Sequence, residues 1–195
     1  MSDARPGVAS ITAALAHDEV RVFTLDSGDG ATIRDATRRI LGALSAIALD
    51  KIELYDAPGG KPFLRNDAEL QFSISHSENF GMVAVTRVAA VGVDIEKIRV
   101  VKNREAIVHR FFPAGEAAGI VGSDDPALRF AEAWTRSEAR VKSRGASVWN
   151  AAEPDPGATV RQLTAPAGFA AAVAVASAEW VISQHSISIA DIVNL

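Results

Sequence analysis

Two acidic residues lie within an otherwise apolar stretch, VGVDIEKIR, at positions 91–99. Because successive side chains of a strand point to opposite faces, the valines and the isoleucine would share one face while Asp94 and Glu96 share the other. The apolar face is typical of a protein core. The acidic face is either solvated or gathers negative charge for a hard cation, since carboxylate oxygens are the ligands that Mg²⁺ prefers.

A second polar set follows one stripe of a predicted helix over 126–144, PALRFAEAWTRSEARVKSR. Trp134, Glu138 and Lys142 are four residues apart, so they would lie along one side of that helix. A carboxylate on this stripe would reach a neighbouring acidic strand, and three carboxylates would then converge. The alternative is an exposed ion pair between Glu138 and Lys142, worth about 0.3–0.5 kcal/mol.

Hydrophobic periodicity predicts the elements that position these residues. An amphipathic helix is expected at 32–49 and a shorter one at 104–112, before a break at Pro113. Strands are expected at 70–75, 81–87, 91–96, 159–163, 169–177 and 186–193. Because a helix followed by strands occurs twice, we expect an α+β fold of two similar, pseudosymmetric halves, 1–90 and 91–195. Each half would be a small antiparallel sheet packed with a helix, with the active site between them.

Composition narrows the class of protein. The chain has 195 residues, 48% of them hydrophobic, which suits one large domain or two small fused ones. Its net charge of -4 argues against a nucleic-acid binder, and the lack of cysteine excludes disulfides and thiolate chemistry. The longest apolar run, at 168–176, is shorter than the ~20 residues that span a bilayer, and MSDARPG lacks an apolar signal core. We therefore expect a soluble, cytoplasmic protein without a membrane segment.

Five motifs occur in a fixed order: GGKPFL, FSISHS, VGVDIE, RFFPAGE and AWTRSEARVK. Together they resemble the 4′-phosphopantetheinyl transferases of the surfactin-synthetase (Sfp-like) type, over roughly 34–142. The resemblance implies a monomer with a two-half fold that binds coenzyme A, its co-substrate, and Mg²⁺. It would transfer the phosphopantetheine arm to a serine of an apo acyl or peptidyl carrier protein and release 3′,5′-ADP. The carrier's pathway, whether fatty-acid, polyketide or nonribosomal-peptide synthesis, does not follow from the sequence.

The resemblance also implies roles for the acidic residues. Asp94, Glu96 and Glu138 would hold Mg²⁺, which neutralises the pyrophosphate under attack. Glu138 would also act as the general base that removes the proton of the carrier serine. Lys142 would hold a phosphate oxygen and support the departing 3′,5′-ADP.

Further residues match the family's contacts to coenzyme A. Lys61 and Pro62 of GKP would lie near the adenine and ribose, and the alternative for Lys61 is a turn lysine that serves solubility. His76 would contact phosphates, and the alternative is a polar residue that fills the core. Ser75 would add a hydroxyl or backbone donor to the same phosphates. Arg34 is a further candidate phosphate ligand.

The remaining motif residues and histidines are not assigned contacts with coenzyme A or the metal. Trp134 is predicted to pack, and the role of Glu116 is left open, as a possible positional residue. His17, His109 and His185 lie outside the motifs and are treated as ordinary.

The sequence departs from the family pattern at two places. Ser137 stands where the helix motif commonly has a lysine, and Arg136 points about 100° away. The segment before the first helix offers only Arg21 and then Arg34 as phosphate ligands, unless Arg38 and Arg39 substitute. An active transferase is the main hypothesis. The alternatives are a degenerate homologue that binds coenzyme A or a carrier without catalysis, and a Mg²⁺-dependent phosphoryl or nucleotidyl enzyme acting on another nucleotide.

Overall fold

The computed structural model describes residues 6–26, 30–56, 60–145 and 157–193. The chain is mixed α+β, as predicted. In chain order its elements are α1 (Pro6–Thr12), β1 (Glu19–Asp26), α2 (Gly30–Ser45), a 3₁₀ turn (Leu49–Lys51), β2 (Leu54–Asp56), β3 (Pro62–Leu64), β4 (Gln71–Ser77), β5 (Phe80–Thr86), β6 (Val91–Lys97), α3 (Arg104–Phe111), α4 (Ala114–Val121), α5 (Pro126–Ser143), β7 (Thr159–Gln162), β8 (Phe169–Val175), β9 (Val181–Ser188) and α6 (Ile189–Val193). None of the helices in these ranges has the length and apolar character needed to cross a bilayer.

The strands form a four-stranded sheet of order β4-β5-β1-β9, a three-stranded sheet of order β6-β8-β7, and the β2-β3 pair. Pairing is antiparallel throughout these sheets except between β1 and β9, which are parallel. That parallel pair departs from the expected antiparallel sheets. It also places the last strand of the chain beside the first, so β9 completes the sheet that β1, β4 and β5 begin.

Two buried clusters cover the two faces of the four-stranded sheet. Along β1, Phe23 and Leu25 pack towards α2, whereas Val20 and Val22 pack towards the three-stranded sheet. A small alanine cluster on the outer face of the three-stranded sheet receives α5. The layers therefore run α2, four-stranded sheet, three-stranded sheet, α5, and β6 lies buried between β4 and α5.

The expected strand at 186–193 is wrong in its second half, because β9 ends at Ser188 and α6 begins at Ile189. Ser188 Oγ accepts the backbone N–H of Asp191 at 3.3 Å and donates to the Asp191 carboxylate at 3.0 Å. A serine with an acidic residue three positions later is a helix N-cap arrangement, which outweighs the short apolar alternation.

Helix α5 approaches β6 so closely that only glycine fits at position 92. A Cβ there would lie 2.0 Å from the Ala139 carbonyl oxygen and 2.4 Å from the Ser143 backbone nitrogen. Both atoms belong to the backbone of α5, so neither yields without moving the helix. Gly92 therefore sets the distance between β6 and α5, the two elements that carry the predicted metal ligands and Lys142.

Gly92→Ala should lower the free energy of unfolding by about 3 kcal/mol, because overpacking forces backbone shifts. Urea unfolding measures this. Gly119→Ala is the matched control, since a Cβ at Gly119 on α4 meets nothing within 4 Å and alanine is the better helix former. If the two variants are equally stable, the close approach of α5 is not a constraint.

A buried ion pair joins α1, β1 and β9. Arg21 is 5% exposed and donates to the Glu19 carboxylate at 2.7 and 2.8 Å. It also donates to three backbone carbonyls that follow or end α1, those of Ser10, Ala13 and Ala14. Glu19 accepts further bonds from Ser183 Oγ and the Ala16 backbone N–H. All three guanidinium nitrogens of Arg21 therefore bond within the fold, so Arg21, one of the two arginines that the sequence offered for a phosphate, serves a structural role.

This pair predicts a pH dependence of stability. Burial alone would raise the pKa of Glu19, but the bonds from Arg21, Ser183 and Ala16 outweigh burial and lower the pKa from 4.5 to about 2. A depressed carboxyl pKa stabilises the fold fully above the unfolded value, and that contribution is lost as the pH falls through the folded value. The difference in unfolding free energy between wild type and Glu19→Gln should therefore be largest above pH 4.5 and shrink towards pH 2. Glu69→Gln, at a carboxylate that is 90% exposed, should show no such trend.

Candidate functional site

Asp94 of β6 is the buried centre of the site. It is 3% exposed, so the solvated alternative for the acidic face is wrong at this position. Its Oδ1 accepts hydrogen bonds from Lys142 Nζ at 2.7 Å and from Ser75 Oγ at 2.8 Å. Its Oδ2 is buried without a hydrogen-bond partner in the described part of the chain. Burial raises the pKa of Asp94, while Lys142 and Ser75 oppose that rise.

The side chain of Lys142, in the last turn of α5, contacts residues of the strands β6 and β4. Its Nζ contacts both Asp94 Oδ1 and Ser75 Oγ, the latter at 3.1 Å. The alternative of an exposed i,i+4 pair with Glu138 is therefore not what the fold forms. The ammonium of Lys142 instead lies against Asp94 of β6. Because Trp134, Glu138 and Lys142 lie on one stripe of α5, Glu138 is on the same side of the helix as Lys142.

Glu96 and Glu138 are half-buried and complete an acidic cluster with Asp94. Burial raises the pKa of Glu138, and the negative charges of Asp94 and Glu96 raise it further. Burial and the charge of Asp94 likewise raise the pKa of Glu96. The negative charge of Asp94 therefore acts on both glutamates, and that of Glu96 also acts on Glu138, as expected for like charges on neighbouring elements.

The acidic cluster fits a hard divalent cation. Among the described residues, Oδ2 of Asp94 is a buried acceptor without a partner, and a cation would offset the burial of all three carboxylates and the repulsion that further raises the pKa of Glu96 and Glu138. Within the described ranges no three acidic or histidine side chains already surround one common point, and Lys142 Nζ lies against Asp94. The donor chemistry is therefore present, and the metal-ligand set Asp94, Glu96 and Glu138 stays a prediction.

The GKP motif lies beside the end of α5. Lys61 Nζ donates to the Val91 carbonyl at 2.8 Å, and burial lowers the pKa of Lys61 to about 8. A lysine held in this way is not a turn lysine chosen for solubility. Lys61 and Pro62 line a cavity of about 380 Å³ whose other walls include Ser143 and Arg144, which directly follow Lys142.

The two predicted ligands in SISHS lie on opposite faces of β4. Ser75 is 6% exposed and contacts Asp94, whereas His76 is exposed and shares its face with the core residues Phe72 and Ile74. The alternative of His76 as a core-filling residue is therefore wrong. Its contact with coenzyme A stays a prediction.

The arginines of α2 do not contact the acidic cluster. Arg34 is exposed and pairs with Asp56 at 3.2 Å. Arg38 donates to the carbonyls of Leu49 and Ile52. Arg39 donates to the Asp35 carboxylate and to the Val193 carbonyl. The structure therefore places Ser75, Asp94 and Lys142 in contact with one another, whereas the three arginines bond to other residues.

Two further motif residues, Trp134 and Glu116, form contacts that hold helices together. Trp134 stacks on Phe130 and meets Phe111 edge-on, with ring centroids 5.7 and 5.8 Å away, which confirms its predicted packing role. Glu116 pairs with Arg136 at 3.0 Å and so ties α4 to α5. This contact accounts for Glu116, whose role the sequence left open.

Ser77 was not predicted as a site residue. Its Oγ lies 3.4 Å from Glu96 Oε2. The available signal was the alternation of three serines in SISHS, which matches the alternation of G-x-D-x-E in the facing strand.

Comparisons with known proteins agree with the motifs. The family model described as the 4′-phosphopantetheinyl transferase superfamily matches residues 90–190, slightly more than half of the chain. Among curated proteins, the chain is 28% identical to the 4′-phosphopantetheinyl transferase HetI of Nostoc sp. over 166 residues, which cover 75% of this chain and 70% of HetI.

Two further relatives carry the same description. The chain is 35% identical to 4′-phosphopantetheinyl transferase AcpT of Salmonella typhimurium over 105 residues, which cover 53% of this chain and 55% of AcpT. It is 32% identical to 4′-phosphopantetheinyl transferase psf-1 of Bacillus pumilus over 115 residues, which cover 57% of this chain and 47% of psf-1. The chain therefore spans about half the length of AcpT and psf-1.

Proposed function

Since the chain belongs to the 4′-phosphopantetheinyl transferase superfamily, we propose that it transfers 4′-phosphopantetheine from coenzyme A to a serine of an apo carrier protein in a Mg²⁺-dependent reaction. The observation that carries this proposal is the contact of Lys142 and Ser75 with a buried Asp94, beside two further carboxylates of raised pKa. A cluster of three carboxylates and one ammonium suits a substrate that brings a pyrophosphate and a divalent cation.

Asp94, Glu96 and Glu138 would hold the cation, which when bound neutralises the pyrophosphate charge. Glu138 has a further role as general base. Burial and the charge of Asp94 raise its pKa, and a stronger base accepts a serine proton more readily at neutral pH. The carrier serine therefore approaches from the side of α5 that carries Glu138.

Lys142 supports the leaving group. Its ammonium carries three N–H bonds, and the contacts to Asp94 and Ser75 use two of them. The third is oriented by those two contacts, so a phosphate oxygen meets a fixed donor. As 3′,5′-ADP departs, the positive charge offsets the negative charge that develops on its phosphate.

The cavity beside GKP is the proposed place for the nucleotide end of coenzyme A. It lies against Lys61 and Pro62 and against Arg144, two residues beyond Lys142, so a nucleotide there has its phosphates near the acidic cluster. His76 and Arg34 remain predicted contacts for the outer phosphates. Their exposure is compatible with such a role, because a ligand reaches them from solvent.

The proposed architecture is a monomer of two pseudosymmetric halves, 1–90 and 91–195, with the site where β4 faces β6. Helix α2 covers one sheet and α5 covers the other, which supports this division. The crossing of β9 into the first sheet ties the halves together.

Intact-mass spectrometry of apo carrier proteins tests the proposal. Incubation with this chain, coenzyme A and Mg²⁺ should add the mass of one phosphopantetheine to the carrier, and EDTA should prevent the addition. No addition across a panel of carriers, together with thermal stabilisation by coenzyme A, would support the degenerate binder instead. Tight binding of nucleotides that lack pantetheine would support the enzyme acting on another nucleotide.

A further inference from the structure

The edge strands of the two sheets, β4 and β6, are joined by side chains. β4 is the edge of the four-stranded sheet, and β6 is the edge of the three-stranded sheet. Three alternate backbone N–H groups of β6 donate to serine hydroxyls of β4. These bonds run from Val93 to Ser73 at 3.1 Å, from Ile95 to Ser75 at 3.4 Å and from Lys97 to Ser77 at 3.1 Å. We name the three serines the serine ladder.

Two of the three serines also donate a hydrogen bond to a carboxylate of β6. Ser75 Oγ donates to Asp94 Oδ1 at 2.8 Å, and Ser77 Oγ donates to Glu96 Oε2 at 3.4 Å. Beside Ser73, the position on β6 that corresponds to Asp94 and Glu96 is Gly92, which has no side chain. The ladder therefore repeats with a period of two residues, and only its last two members meet an acidic residue.

The direction of each bond is fixed by chemistry. A serine hydroxyl has one proton to donate. Because a backbone N–H of β6 occupies an acceptor position of the hydroxyl, the proton is directed to the carboxylate beside it. The carboxylate is then held by one oxygen. For Asp94 this is Oδ1, and it is Oδ2 that is buried without a partner among the residues that the structure describes.

We infer that Ser75 and Ser77 are positioning residues that hold Asp94 and Glu96 in the orientation in which they bind a divalent cation. The inference rests on the proposed function, and it gives Ser75 a role at the metal end of the site in place of a phosphate contact. Hydrogen bonds to the second oxygen of a ligating carboxylate fix its orientation and tune its affinity. Because the serines belong to β4 and the carboxylates to β6, the two sheets set the ligand geometry jointly.

Ser73 provides a matched control. It makes the same type of bond to a β6 backbone N–H, and the β6 residue beside it is Gly92, where Ser75 and Ser77 have Asp94 and Glu96. Ser73→Ala therefore measures the loss of a ladder bond alone, whereas Ser77→Ala loses a ladder bond and a carboxylate contact together. Ser75→Ala loses both of these and also the bond from Lys142 Nζ.

Direct Mn²⁺ binding, measured by the electron paramagnetic resonance signal of free Mn²⁺, tests the inference in the full chain. Ser75→Ala should weaken Mn²⁺ binding about 10–100-fold, as removal of such a supporting bond typically does. Ser77→Ala should weaken it less, because its contact is longer. Ser73→Ala should bind Mn²⁺ as wild type does, and Ser77→Thr, which keeps the hydroxyl, should restore most of the affinity. Urea unfolding of all variants establishes that each is folded.

Three outcomes would overturn the inference while leaving the proposed function standing. The first is wild-type Mn²⁺ affinity in Ser75→Ala and Ser77→Ala with a raised KM for coenzyme A, which would make them contacts to the nucleotide. The second is an equal loss of Mn²⁺ affinity in all three alanine variants, which would make the ladder structural only. The third is wild-type behaviour throughout. If instead the wild-type chain binds no Mn²⁺ and modifies no carrier, the proposed function itself fails.

Discussion

Asp94→Asn should abolish metal-dependent transfer to a carrier protein. The substitution keeps the volume and the hydrogen-bonding shape of the buried side chain but removes its charge. It thereby removes a predicted metal ligand and leaves the ammonium of Lys142 without the anion that it contacts at 2.7 Å. Transfer rates measured by intact mass over a range of Mg²⁺ concentrations should fall at least about 10³-fold and should not recover at high Mg²⁺.

The choice of asparagine follows from burial. A carboxylate on a solvated strand face tolerates alanine, but Asp94 is 3% exposed, so alanine would add a cavity and would leave the partly buried Lys142 without its carboxylate partner. Asp67→Asn is the control, since Asp67 forms a bidentate pair with Arg87 elsewhere in the fold. It should lower stability and keep transfer. A Mg²⁺-dependent rate that survives in Asp94→Asn contradicts the metal assignment.

Local periodicity predicted the elements that carry the site. The alternation of VGVDIE placed the carboxylates of β6 on one face, and the spacing of Trp134, Glu138 and Lys142 placed them on one stripe of α5. These patterns succeed because they depend on the geometry of a single strand or helix. The boundaries of α3 and α5 agree with the predicted ones to within one residue.

Such local patterns did not predict the contacts between segments that are far apart in the sequence. The strand β1 was not predicted, and its Arg21 was considered only as one of the few basic residues available for a phosphate at or before the first predicted helix. Its partners are backbone carbonyls of α1 and Glu19, two residues before it on β1. The parallel pairing of β1 with β9 joins segments that are more than 150 residues apart. No local period encodes such a pairing, because it depends on which strand edge remains free once the rest of the sheet has formed.

The helix α4 was missed for a different reason. Its segment contains two glycines and follows a proline, features that favour a break. The proline instead occupies the N-cap, and the buried residues Ala117 and Ile120 pack the helix against α3 and α5. Tertiary packing outweighs the weak helix propensity of glycine at the two exposed positions. That packing also positions Glu116 to pair with Arg136, a contact that the motif alone did not reveal.

Glu138→Gln should lower kcat by about 10²–10⁴-fold if Glu138 is the general base, because the amide cannot accept the serine proton. The side chain is half-buried beside Asp94 and Glu96, and glutamine preserves its size. Single-turnover transfer, followed by intact mass at saturating coenzyme A and Mg²⁺, isolates the chemical step. Glu132→Gln on the same helix is the control, since Glu132 pairs with Arg129 and should change transfer little.

Two roles are proposed for Glu138, and Mn²⁺ affinity separates them. If the carboxylate acts mainly as a base, Glu138→Gln keeps most of its Mn²⁺ affinity while the single-turnover rate falls. If it acts mainly as a ligand, affinity falls and excess metal restores much of the rate, because the base is then another group or water. A raised KM for coenzyme A with an unchanged kcat contradicts both roles, since such a change means that the residue contributes equally to the ground state and the transition state.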